Sequence, residues 1–85
     1  MTYLSRDTVH EALRAVLNRR IPDDRKERLS IEPEQNLLEV VDSFGFAELI
    51  LEMEAELQVE LPLDQVDLAS IVHVDSLVSF VCQNA

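Results

Sequence analysis

The sequence predicts an all-α protein: a small antiparallel bundle of four helices, three longer and one short, with a long loop between helices one and two. Three observations predict it. Apolar residues recur at helical spacing in three separate stretches. Pro22 and Pro62 fall between those stretches, where helices must stop. The 85 residues are 47% hydrophobic and include one Gly and three Pro, a composition that fits a folded helical domain and not a disordered one. A chain of this length forms a single domain with a modest core and marginal stability.

The first helix is expected from about Ser5 to Arg20. Val9, Leu13, Val16 and Leu17 follow i, i+4, i+7, i+8 and share one face. Ser5 or Asp7 can cap its start, and Arg19 and Arg20 suit the negative end of its dipole. A long connection, roughly 21–41, follows. It carries Asp23-Asp24-Arg25-Lys26-Glu27-Arg28 and then Ile31, Pro33, Leu37, Leu38 and Val40. A loop this long is unusual in a compact domain, and its apolar residues predict that it packs on the bundle. Arg25–Leu29 and Glu34–Leu38 are the stretches in it that can be helical.

The second long helix begins at Asp42 or Ser43 and runs to about Leu57, where Val59-Glu60-Leu61-Pro62 breaks it. A short helix is expected at Asp64–Leu68, and the last one over about Val74 to Cys82, with Leu77, Val78 and Val81 facing inward. Val59-Glu60-Leu61 reads as a possible strand, but nothing nearby pairs with it.

The second long helix carries the functional signal. At 100° per residue, Phe46, Leu49, Ile50, Met53 and Leu57 fall within an arc of roughly 100° and form the core face. Phe44, Glu48, Leu51, Glu52 and Ala55 lie opposite. Two large apolar residues, Phe44 and Leu51, thus share a face with carboxylates. A solvated face has no use for them, whereas a docking face uses apolar anchors for contact energy and acids to steer a basic partner. The plainer alternative tucks both residues under the long connection. Ser43 stands in the first turn. Its ordinary role there is an N-cap. Its functional role is to carry a phosphodiester, which the free N–H groups and positive dipole end of a helix start stabilise.

Charge placement agrees. The net charge is −10, yet all seven bases lie in residues 1–28, which also hold five acids and so carry +2. Residues 29–85 hold twelve acids and no Lys or Arg, a net −12. Such a field repels nucleic acid and attracts basic protein surfaces.

These residues resemble a known family. Asp42-Ser43-Phe44 is similar to the Asp-Ser-Leu attachment motif of acyl and peptidyl carrier proteins. The longer Val41-Asp42-Ser43-Phe44-Gly45-Phe46-Ala47-Glu48-Leu49 is closer to stand-alone members such as D-alanyl carrier proteins. Leu49 through Pro62 resembles the family's acidic second helix and its Ile-Pro exit, and Ser70-Ile71-Val72-His73-Val74-Asp75-Ser76-Leu77 resembles the entry to its last helix. The likeness spans residues 30–82; helix one fits by position and amphipathicity.

The resemblance implies a carrier of thioester cargo that does no chemistry itself. A 4'-phosphopantetheine arm would be attached to Ser43 by a separate phosphopantetheinyl transferase that uses coenzyme A and Mg²⁺. Asp42 would help position that transfer, as a metal ligand. Phe44, Glu48, Leu51 and Glu52 would form the partner-recognition face, and Ile71 would lie near the arm and its cargo. A cargo-loading ligase or acyltransferase and downstream enzymes with basic docking surfaces would be the partners. Tethering would raise the effective concentration of the cargo. The chain departs from the family in having Val40-Val41 where Gly is frequent, and in a loop before Ser43 about two residues shorter. The short loop and Phe44-Gly45 point toward a specialised biosynthetic pathway. The competing class is an acidic helical adaptor that binds a basic protein surface without an arm.

Other chemistry is not supported. Ser43 has no Gly-x-Ser-x-Gly elbow to make it a nucleophile with His10 or His73. Two histidines and one cysteine lack metal-ligand spacing, and the acids match no calcium loop. Cys82 alone makes no internal disulfide and is expected half-buried. The Arg25-Lys26-Glu27-Arg28 cluster lacks aromatics, so no nucleic-acid binding is expected; it can instead pair with the acidic half. No apolar run approaches the ~18 residues of a membrane span, and the start has no signal pattern. The expectation is a cytoplasmic monomer.

Overall fold

The computed structural model describes residues 4–24 and 32–84. They form three α-helices: α1 (Arg6–Arg20), α2 (Ser43–Leu57) and α3 (Val74–Asn84). No strand occurs among the described residues; Asn36 and His73 make an isolated antiparallel bridge. The radius of gyration, 12.0 Å, is that of a compact chain of this length. No helix among the described residues is long and apolar enough to cross a membrane.

Helix α1 starts where its side chains direct. Ser5 is the N-cap, and its hydroxyl accepts from the Thr8 N–H at 3.1 Å. Val9, Ala12, Leu13, Val16 and Leu17 are buried, the periodic face with Ala12 added. This helix packs against both α2 and α3. From α2 the core takes Phe46, Leu49, Ile50 and Met53, and from α3 Val74, Leu77, Val78 and Val81. Leu57, at the end of the α2 core arc, is only partly buried. Cys82 is a free thiol, half-buried against the core.

The expected fourth, short helix is replaced by two 3₁₀ turns, Leu63–Gln65 and Leu68–Ile71. Between them Val66 is extended, and Asp67 restarts the chain: its carboxylate accepts from the Ala69 N–H, and its carbonyl accepts from both the Ser70 N–H and the Ser70 hydroxyl. A residue that offers its own acceptors to the next three residues competes with a continuous helix. Residues 59–62 are irregular, with no strand.

The part of the long connection that is described packs on the bundle. Leu37 and Val40 are buried, while Leu38 between them is 41% exposed, contrary to the expectation that all three pack. Helix over Glu34–Leu38 is reduced to a 3₁₀ turn at Leu37–Glu39. Three backbone bonds tie this segment to the entry of α3: Leu37 N–H to Val72 C=O, Val74 N–H to Gln35 C=O, and Asp75 N–H to Pro33 C=O. Arg25–Leu29, Ile31 and the Arg25-Lys26-Glu27-Arg28 cluster lie outside the described residues.

Helix α2 ends on Gln58, whose φ of 57° and ψ of 47° are left-handed. The Gln58 and Val59 N–H groups both return to the Glu54 carbonyl. Glycine is favoured at such a stop because a Cβ costs about 1 kcal/mol there. Gln58→Gly is therefore expected to raise stability by about 0.5–1 kcal/mol in chemical denaturation. Met53→Asp should abolish the helical circular dichroism. Met53 is fully buried, and an unpaired carboxylate there costs several kcal/mol against a stability of about 5–15 kcal/mol.

Candidate functional site

The site begins with a division of labour between two adjacent residues. Asp42, not Ser43, is the N-cap of α2. Its backbone is extended, and its carboxylate accepts from the Gly45 N–H at 2.6 Å. Its carbonyl takes the Phe46 N–H at 2.8 Å, the first bond of the helix. Ser43 is thereby the first helical residue. It is exposed, and its hydroxyl has no hydrogen-bond partner among the described residues. The structural cap role that a serine here ordinarily has is taken by Asp42.

The glycine is part of the same device. A Cβ on Gly45 would stand 3.0 Å from the capping Asp42 oxygen and 3.4 Å from the Val41 Cβ. A side chain there pushes the carboxylate off its short bond. Glycine is thus retained in the first turn of a helix, where it has low propensity.

Phe44 is 74% exposed and Leu51 56%, so neither is tucked beneath the connection. Ala55 is exposed on the same face, and Glu48 lies beside it. Phe44, Leu51 and Leu38, on the segment leading into α2, are the large exposed apolar side chains among the described residues. Leu38 was legible as apolar but not as outward-facing, since the tight turn that points it out has no periodicity.

The carboxylates on α2 behave differently from the expectation of a free acidic face. Arg20, half-buried, donates one nitrogen to Glu48 at 2.7 Å and another to Glu52. Arg19 lies 3.6 Å from both Glu52 and Glu56. Glu54 accepts the Leu61 N–H at 2.7 Å. Every glutamate of α2 is therefore engaged inside the molecule. Glu48 and Glu52, assigned above to partner recognition, are inter-helix ion-pair partners. The cause is geometric: 48, 52 and 56 step by four and line one flank of α2, and the end of α1 packs beside that flank. The sequence shows the spacing and the two arginines but not which helices meet. The Glu52 hydrogen bond, partly opposed by burial, holds the Arg20 guanidinium above its ordinary pKa. That contribution is fully present below the ordinary arginine value and fades only as pH rises through the raised one, so it is constant across neutral pH.

Ile71, expected near the arm and its cargo, is 5% exposed and belongs to the core. His73 is exposed beside the start of α3. His10 lines an open groove with Arg6, Asp7, Glu11, Arg14 and Asp75, and Ser43 is not part of it. Arg6 is held there by Asp75 and Ser79. No group of three or more His, Cys, Asp or Glu able to hold a metal occurs among the described residues.

The residues at the start of α2 fit a phosphodiester in three respects: an accessible, unengaged hydroxyl, first-turn N–H groups with no intrahelical acceptor, and a second Asp42 oxygen free for a metal during transfer. No family model, curated protein or solved structure matches the chain.

Asp42→Ala is expected to cost about 1 kcal/mol of stability. Gly45→Ala should yield no stabilisation, although an exposed helical Gly→Ala change ordinarily gains about 1 kcal/mol. Paired urea melts check both. A clear gain for Gly45→Ala would show that the Cβ clash is relieved without loss of the cap.

Proposed function

We propose that this chain is an acyl or aminoacyl carrier protein, holding its cargo on a 4'-phosphopantetheine arm attached to Ser43. The observation that carries the reading is the unengaged Ser43 hydroxyl at the first position of α2, with Asp42 doing the capping and Phe44 exposed alongside. A serine at a helix start ordinarily serves as its cap, and here Asp42 does that instead. Ser43 is presented at the surface, at a helix end suited to an added phosphate.

The bound arm supplies a thiol that holds cargo as a thioester. The chain's own residues keep the attachment point rigid and accessible. Asp42 fixes the helix start, Phe46 beneath it anchors that turn to the core, and Phe44 and Leu51 offer contact to the enzymes that come to Ser43. The pathway is proposed to be a specialised one, with a loading ligase or acyltransferase as partner. Nothing in this role requires catalysis by the chain.

Incubation with a broad-specificity phosphopantetheinyl transferase, coenzyme A and Mg²⁺ should add the mass of one phosphopantetheinyl group, and Ser43→Ala should abolish it. Intact-mass spectrometry reads this directly. If a control carrier is modified and this chain is not, the acidic-adaptor reading takes its place. Asp42→Asn separates the cap from the metal role, because Asn caps about as well as Asp. Its melting should match the wild type while its modification rate falls at least about tenfold.

A further inference from the structure

Resting on the carrier reading, we propose that enzymes dock on α2 through the apolar stripe of Phe44 and Leu51 and not through its glutamates, because Arg19 and Arg20 of the same chain already occupy that acidic flank. The partner surface at this contact is apolar and aims no basic cluster at α2.

The charges decide it. A basic partner gains less from a carboxylate whose charge an internal arginine already offsets. Glu48 and Glu52 share Arg20, and Glu52 and Glu56 share Arg19. A partner's arginine reaching Glu48 or Glu52 would compete with Arg20, whose side chain is 22% exposed and which both carboxylates hold. Exchanging one guanidinium for another recovers no net contact and loses the internal one. The three glutamates and two arginines of the flank sum to −1 of the chain's net −10. The other −9 therefore lies off this flank and does not form the contact.

The apolar side chains have no such occupant. Phe44 adjoins Ser43, and Leu51 follows it two helical turns on, along the same face. Any enzyme that reaches the Ser43 hydroxyl passes over Phe44. Exposed aromatic and aliphatic anchors of this kind supply contact energy without long-range attraction.

The test is the rate of Ser43 modification by a broad-specificity phosphopantetheinyl transferase with coenzyme A, read by intact mass. It is normalised to a control carrier and run from about 0.15 M to about 1 M salt, over which the screening length falls from about 8 to about 3 Å. Wild-type kcat/KM should change by less than about twofold, and Glu48→Gln should leave it unchanged. Phe44→Ser and Leu51→Ser should each lower it about tenfold or more with unchanged circular dichroism. The Arg19→Gln, Arg20→Gln double variant, which unmasks the flank, should become faster at the lower salt and newly salt-sensitive. Steep salt dependence in the wild type, loss of rate in Glu48→Gln, or full activity of both serine variants overturns the apolar docking and leaves the carrier reading intact. No added mass on any variant, beside a modified control, ends both.

Discussion

The bond from the Gly45 N–H to the Asp42 carboxylate is the constraint on which the rest of the molecule's surface is arranged. It fixes the first residue of α2, and a helix start fixes the direction of every side chain after it. With Asp42 at the cap, Phe46 enters the core while Phe44 two residues earlier turns to solvent. Begun one residue later, the helix would give Ser43 the capping role and tie up its hydroxyl. The glycine that allows the close approach and the buried phenylalanine one residue on support the same register from two sides.

A second layer of order comes from charge. Helix α1 ends in two arginines, which serve its own dipole and also reach across to the glutamates of α2. Each such pair is worth only up to about 1 kcal/mol at a surface. Arg19 and Arg20 offset two of the three negative charges on that flank of α2.

Much of the fold was legible in the sequence, and the failures have physical causes. All three α-helices follow from apolar periodicity with Pro22 and Pro62 as stops, and the described bounds of each differ from the expected ones by no more than two residues. The exposure of Phe44 and Leu51 follows from the wheel alone, because a helix of known phase has only one outside. The short helix at Asp64–Leu68 failed because Asp67 offers local acceptors that split the stretch into two turns. The internal ion pairs of Glu48 and Glu52 were not legible, because ion pairing between helices depends on which flanks meet, and single-helix periodicity carries no such information. The burial of Ile71 was not legible for a related reason: it lies in a turn whose side chains are sorted by packing and not by a repeat. The position of Ser43 was readable, but the release of its hydroxyl depended on which of two neighbouring cap residues takes the amide.

The three backbone bonds between the segment before α2 and the entry to α3 have a mechanical consequence. They make the two stretches a single plate, welded along residues 33–37 and 72–75. Prying the plate apart would strand donors and acceptors that only water could satisfy. Leu37, Val72 and Val74 of the plate are buried in the core, so the same two stretches are held to the bundle as well as to each other.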